Sequence, residues 1–449
     1  MRHSRLFAAS LLTVALSIAT SIGAQPVTAD PALAAEIDRR TAAIADKVTA
    51  WRHDIHQHPE LGYAEKRTAA LVAAHLKSLG IEVQENVGGI PGVVGILKGG
   101  KPGPTVALRA DMDALPVIER VDLPFKSIVK EQYLGQEVGV MHACGHDAHT
   151  AMLMGAAEVL AGLKSEISGN IVFIFQPAEE GPPPGEEGGA PLMIKEGALE
   201  NPQVEAIFGI HVAALAPVGT IRYKPGGAMA AADRFTIKIH GKGAHGSTPW
   251  QGADPIVTAA AMIEGIQHIV SRQTDLTNEP AVITVGKITG GTRHNIISED
   301  CELLGTIRTL DVKMREKLLT DFDRVVKNTA EANNCTAEII LDPGLPIVYN
   351  HLGLTEKMLP TLNRVAGDGN VVLAKASTGA EDFSFFAQKI PGLFVFVGVM
   401  EKGADPAKTA GHHTPDFRVD ESGMLLGVRT YCGLALDWLA SRPMPLPTK

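Results

Sequence analysis

The stretch MHACGHDAHT, residues 141–150, places His142, Cys144, His146, Asp147 and His149 close together. Thiolate and imidazole serve as metal ligands, nucleophiles and bases. At Cys144 three readings are open: a ligand, a nucleophile and a buried thiol. Similar residues recur where apolar runs end. Asp111 and Asp113 follow TVALRA, Glu179 and Glu180 follow IVFIF, His211 closes VEAIFGIHV, and GHHTP (411–415) lies beyond LFVFVGVM. Singly, each has a plain explanation. Asp113 can cap a turn, His211 can be a buried hydrogen-bonded ring, and the glutamates can be surface charges. Adjacent carboxylates after so apolar a run, however, repel unless a cation holds them. Cys144, His146, Glu180, His211 and one histidine of GHH together suit two divalent ions that share a bridging group.

These residues need elements to hold them. Residues 35–80 read as helices broken near Pro59 and ended by Gly80. GVVGILKG, TVALRA, IVFIF and VEAIFGIHV read as buried strands, and AHTAMLMGAAEVLAGLK as a helix. This alternation predicts an α/β domain with a mostly parallel sheet, in which ligands sit beyond the strand C-termini. Near residue 230 the pattern changes. DRFTIKIHGKG alternates apolar and polar; a helix is expected at 254–271, strands at AVITVGKITG and CELLGTIRTL, a helix at 312–332 and a strand at TAEIILD. This βαββαβ order predicts an inserted α+β lid or dimerisation domain, with one sheet face open. The expected division is 35–229 and 346–449 for the metal-binding domain and 230–345 for the insert. GPPPGEEGGAP (181–191) reads as a loop whose Glu186 and Glu187 are solvated.

The chain has 449 residues, 45% hydrophobic and 20% charged, which suits a soluble protein of two domains. A net charge of −9 without a basic run gives no support for nucleic-acid binding. Arginines 2 and 5, an apolar run and small residues before Gln25 follow the order of a secretory signal, with cleavage expected after Ala24. An uncleaved anchor is the alternative, but the run is shorter than the roughly 20 residues that span a bilayer. The expectation is therefore an exported enzyme, periplasmic or secreted, free of the membrane once cleaved. No C-x-x-C pair occurs among Cys144, Cys301, Cys335 and Cys432. Cys301 and Cys335 could pair, although buried free thiols are the plainer reading.

The motifs LRADMDALP, MHACGHDAHTAML, FQPAEEG, GIHV, DPI, GTIR, GAEDFS and HHTPDF occur in this order. By them the chain resembles the M20 metallopeptidase family, in particular its amidohydrolase branch of hippurate and auxin–amino acid conjugate hydrolases. The similarity extends from HQHPELGYAE to GHHTPDFRVDE. It implies metal ligands Cys144, His146, Glu180, His211 and His413, the last because the ligand stands two residues before Pro415. It makes Glu179 the general base and Asp113 an orienting carboxylate. Where other branches carry a ligating histidine two positions before that aspartate, this chain has Asp111. GKGAHGSTP resembles the segment whose histidine, here His245, donates to the oxyanion; by itself it would read as a loop histidine. Asn295 and Arg308 match positions that hold the substrate carboxylate, while Trp250 and the Thr292–His294 stretch would tune specificity.

The implied reaction is hydrolysis of an N-acyl-amino acid amide bond with two divalent ions of zinc, manganese, cobalt or nickel. A dipeptidase or carboxypeptidase of the same fold is the nearest alternative. A non-catalytic amide-binding protein is a third, opposed by the complete set of base and ligands. A nucleophilic Cys144 paired with His142 or His149 would leave the glutamate pair unexplained. The open sheet of the insert suggests a homodimer, with His245 acting across it.

Overall fold

A computed structural model describes residues 30–441. The expected signal, residues 1–24, lies outside them. The main elements in chain order are α1 (Pro31–Ala43), α2 (Ala45–Gln57), α3 (Lys66–Ser78), β1 (Glu82–Val87), β2 (Gly92–Lys98), β3 (Lys101–Asp111), α4 (His146–Ala161), β4 (Ser168–Gln176), β5 (Ala206–Pro217) and β6 (Ile221–Tyr223). There follow β7 (Ala231–His240), α5 (Pro255–His268), β8 (Ala281–Gly290), β9 (Asp300–Thr309), α6 (Val312–Ala332) and β10 (Thr336–Leu345). The chain closes with α7 (Leu352–Ala366), β11 (Val371–Leu373), β12 (Gly392–Met400) and α8 (Met424–Ala440).

The large sheet has the order β1-β2-β4-β3-β5-β12-β6-β11. Its centre, β4-β3-β5-β12, is parallel, and β6 pairs β11 in parallel; the β1-β2, β2-β4 and β12-β6 pairings are antiparallel. The central strands are apolar on both sides because both sides are covered. In β3, Val106 and Leu108 join one apolar cluster with Val48, Val72 and Met152 from the helices. Ala107 joins another with Met193, Phe383 and Phe394. Arg109 and Asp111 share the face of Ala107, by the two-residue period of a strand.

The second sheet, β8-β9-β7-β10, is antiparallel throughout. Phe235, Ile237 and Ile239 of β7 bury one face under α5 and α6, where Leu318, Phe322 and Val326 pack at helical spacing. The intervening Arg234, Thr236 and Lys238 leave the other face polar and partly exposed. Cys301 and Cys335 are buried and unpaired.

One detail of the large sheet sets up everything beyond it. β3 and β5 stop pairing after Arg109↔Gly209. There the Tyr431 hydroxyl, on α8, donates to the Arg109 carbonyl at 2.7 Å and accepts from the Ile210 N–H at 3.2 Å. A side chain thus replaces the next rung of the ladder, and the strands part. Tyr431→Phe strands both backbone groups in the interior and is expected to cost about 1–3 kcal/mol. Urea unfolding at constant m checks this; a loss within the error of the extrapolation would mean that the strands re-pair without the hydroxyl.

Candidate active site

The residues beyond that parting are set by backbone geometry first. Gly145 precedes α4 with φ of +97°. A Cβ there would lie 2.4 Å from Val212 Cγ2, so only glycine fits between Cys144 and His146. The first turn of α4 is fixed by Asp147, which accepts from Arg52 Nε at 3.0 Å and His56 Nδ1 at 2.8 Å. Ala178, before the glutamate pair, and His413 also hold positive φ, 53° and 62°. Such conformations cost on the order of 1–3 kcal/mol each in non-glycine residues and cluster at functional sites.

Cys144 is the centre of the group. Its Sγ lies 3.4 Å from His211 Nε2 and 3.3 Å from His413 Nε2. Glu180 Oε1 is 3.0 Å from His413 Nε2. His146 Nε2 is 3.8 Å from Glu179 Oε2 and, although buried, has no hydrogen-bond partner. The donor atoms of Cys144, His146 and His211 fall within 4.8 Å of one another, as do those of Cys144, Glu180 and His413, and of His146, Glu179 and Glu180. Two ligand sets therefore share Cys144. A buried imidazole nitrogen left unpaired amid soft and anionic donors is what a divalent ion would satisfy. Burial pushes the Cys144 thiol up, so a thiolate there needs a cation beside it.

Hydrogen bonds separate the histidines of the candidate ligand sets from their neighbours. His211 Nδ1 donates to the Val212 carbonyl at 2.6 Å, which leaves the Nε2 lone pair free toward Cys144. His149 donates from Nδ1 to Asp111 at 2.6 Å and accepts the Val212 N–H on Nε2 at 2.8 Å. His412 donates to the Cys144 carbonyl at 3.1 Å and accepts the Ala214 N–H at 3.1 Å. Both nitrogens of these two rings are occupied, so they hold backbone. Asp113 lies 3.2 Å from His146 Nδ1 and accepts the Glu180 N–H at 2.9 Å. It orients one member of each ligand set.

The sequence reading did not assign Glu381, Asp382, Arg109 or Gln176. Buried Arg109 contacts Asp111 at 2.7 Å, Asp382 at 2.7 Å, Glu381 at 2.9 Å and Gln176 Oε1 at 2.9 Å. Asp382 also accepts from Gln176 Nε2 at 2.6 Å and the Ala190 N–H at 2.8 Å. An arginine inside so apolar a strand was the available signal. The effect reaches Glu179. Burial, then Glu381, Glu180 and Asp382, push its carboxyl well above the ordinary range. No described protein group donates a hydrogen bond to it.

A cavity of about 460 Å³ has Cys144, Glu179, Glu180, His211, Glu381 and His413 on its wall. His245, Asn295 and Arg308 are not on that wall. His245 and Asn295 are brought together elsewhere: the short strand Ala244–His245 pairs with Ile296–Ile297, and Gly246 N–H donates to the Asn295 carbonyl at 2.9 Å. His245 Nδ1 is engaged by Ser247 Oγ at 2.7 Å. Asn295 Oδ1 is buried without a partner. Arg308 is half-buried on β9; burial and the neighbouring Arg234 both lower its pKa.

Comparison with known proteins agrees with this geometry. The family described as peptidase family M20/M25/M40 matches residues 107–437. Thermostable carboxypeptidase 2 of Saccharolobus solfataricus is 42% identical over 88% of this chain and 96% of its own. IAA-amino acid hydrolase ILR1-like 4 of Arabidopsis thaliana is 38% identical over 86% of this chain and 84% of its own. The crystal structure of Bacillus subtilis YXEP, described as a dinuclear metal-binding peptidase, superposes with a TM-score of 0.75 at 34% identity, covering 89% of this chain and 99% of that one.

The two adjacent histidines give a direct test. His413→Ala is expected to lower bound metal, and His412→Ala to retain it, as measured by elemental analysis after dialysis. Equal losses would place His412 among the ligands. Arg109→Met should destabilise the fold by roughly 3–5 kcal/mol, because it leaves Asp111, Glu381 and Asp382 buried without their cation; chemical denaturation reads this.

Proposed function

The chain belongs to peptidase family M20/M25/M40, and from that premise we propose that this metal-dependent amidohydrolase cleaves N-acyl-amino acids into a carboxylic acid and an amino acid. The observation that carries the reading is Glu179: a buried carboxylate with no protein donor, next in sequence to Glu180 and beside the shared Cys144 group. Divalent ions held by Cys144, His146, Glu180, His211 and His413 would polarise the scissile carbonyl and acidify water. Zinc, manganese, cobalt and nickel all suit this donor set.

Glu179 takes the proton of the attacking water and hands it to the departing amine. Burial among Glu381, Glu180 and Asp382 raises its proton affinity, which suits acceptance of the water proton. Asp113 keeps His146 and the Glu180 backbone in place. His245 donates to the oxyanion, and Asn295 and Arg308 receive the substrate carboxylate. All three stand off the cavity wall, so they act only when the second sheet closes over the site or when a second copy supplies them. The polar open face of that sheet suits a homodimer. Residues 230–345 then form the lid, inserted between the two parts of the metal-binding domain. Export, expected from residues 1–24, belongs to the same reading.

A carboxypeptidase or dipeptidase activity is the second reading, favoured by the name of the relative at 42% identity. A hydrolysis screen of the metal-loaded protein with N-acetyl, N-benzoyl and long-chain N-acyl amino acids, alongside dipeptides, decides between them. Faster turnover of dipeptides would reject the first reading. Glu179→Gln should keep its metal and lose a factor of roughly 10² or more in kcat; lost metal would make Glu179 a ligand. Mixing Glu179→Ala with His245→Ala subunits should restore part of the activity if His245 acts in trans. No recovery after verified subunit exchange would place His245 in the same subunit as its metals or outside catalysis.

A further inference from the structure

The cavity that holds Glu179 and the Cys144 group has a single lysine or arginine on its wall, Arg222. Its position follows from strand register. His211 of β5 stands opposite Phe396 of β12, and Phe396 stands opposite Arg222 of β6. Directly opposed residues point to one face of a sheet, so the three form a row. The His211 and Phe396 ring centroids, 6.0 Å apart, agree with that. Strands spaced about 4.8 Å put the Arg222 backbone roughly 10 Å from that of His211. Phe396 is the apolar floor between them.

Arg222 is half-buried and has no hydrogen bond or ion pair to any described residue. The acids on the same wall, Glu179, Glu180 and Glu381, do not pair with it. Glu179 and Glu180 belong to the candidate metal-binding groups, and Glu381 is committed to Arg109. Some shielded cations of the fold are matched, Arg109 by three acids and Arg315 by Asp233 at 2.6 Å, whereas half-buried Arg308, like Arg222, has no ion pair among the described residues; of these only Arg222 lines the cavity. A partly desolvated guanidinium without a counter-ion, facing the space where substrate must lie, is a receptor for an anion.

We infer that Arg222 binds a second anionic group of the substrate, distinct from the α-carboxylate. The inference rests on the N-acyl-amino acid reading, in which the α-carboxylate goes to Asn295, beside the Ala244–His245 pairing, and to Arg308 on β9. The preferred substrates are then dianionic. The second carboxylate is carried either by the amino-acid side chain or by the acyl group. A substrate with its amide at the Cys144 group would cross Phe396 and end at the guanidinium.

Two matched pairs distinguish the sources: N-acetyl-glutamate against N-acetyl-glutamine, and N-succinyl-glycine against N-butyryl-glycine. The wild-type enzyme should prefer the acidic member of one pair. Arg222→Gln should lower kcat/KM for that member by roughly ten- to a hundredfold, the scale of one charge-assisted pair, and leave its neutral partner nearly unchanged. Arg222→Lys should recover part of the loss. Unchanged ratios in Arg222→Gln, or an equal fall for all four compounds, would overturn the inference. If the wild type hydrolyses none of them, the N-acyl-amino acid reading fails separately. Calorimetric titration of the metal-loaded Glu179→Gln protein with the same four acids, with and without Arg222→Gln, then still decides the role of Arg222. Tighter binding of an acidic member that vanishes with Arg222→Gln upholds it, and binding indifferent to the substitution overturns it.

Discussion

The structure is organised around mutual repulsion of carboxylates. Asp111, Asp113, Glu179, Glu180, Glu381 and Asp382 converge at the ends of β3 and β4 and at the start of the helix Phe383–Lys389. Collected in a low-dielectric interior, such groups oppose folding unless cations answer them. Arg109 answers part of the cluster from within the sheet, taking Asp111, Glu381 and Asp382. Gln176 and the Ala190 N–H take remaining acceptor positions on Asp382. Glu179 and Glu180 form no ion pair with that guanidinium and lie beside Cys144 and the histidines instead. The division of the acids between a resident arginine and a metal-binding set is what separates support from chemistry.

Support is provided by groups that replace sheet hydrogen bonds. Past Arg109 and Gly209 the strands part, and Tyr431, His149 and His412 each take a backbone group of β5 that has lost its neighbour. These three N–H groups are therefore bonded along the opening rather than left free. The opening allows His211 to turn one nitrogen to its own strand and the other to Cys144. The positive-φ residues at Gly145, Ala178 and His413 act in the same sense, since each redirects the chain where a ligand or base must be aimed. Strain is held where the surrounding packing over-determines it.

In the proposed reading the substrate's demands are divided between separate parts of the chain. The large sheet carries the donors, the base and, across Phe396, the free guanidinium of Arg222. The small four-stranded sheet carries Arg308 beside Arg234, and the separate pairing of Ala244–His245 with Ile296–Ile297 holds His245 beside Asn295. With the reacting groups on one body and the carboxylate receptors on another, a substrate of the proposed kind is bound productively only when both bodies contact it. Closure of this sort excludes water at the moment when the oxyanion contact matters most.

Much of this was legible in the residues. Buried strands announced themselves as apolar runs, and the helices as stripes ended by glycine or proline, because burial on two faces or one leaves a periodic trace. The change of period near residue 230 marked the second sheet for the same reason. Cys144, His146, Glu179, Glu180 and His211 were legible because polar groups directly after such runs must lie at strand ends. What the chain alone could not reveal were contacts between distant residues. Arg109 and Asp382 are 273 positions apart, and only the sheet order brings them together. The motif resemblance picked His413 from the adjacent pair; what only three dimensions add is that both ring nitrogens of His412 are bound to backbone groups. The distance of His245, Asn295 and Arg308 from the donor cavity was equally invisible. Sequence patterns encode which face of an element is buried; the pairing of elements, and hence which charges meet, is settled by how the sheets and helices pack.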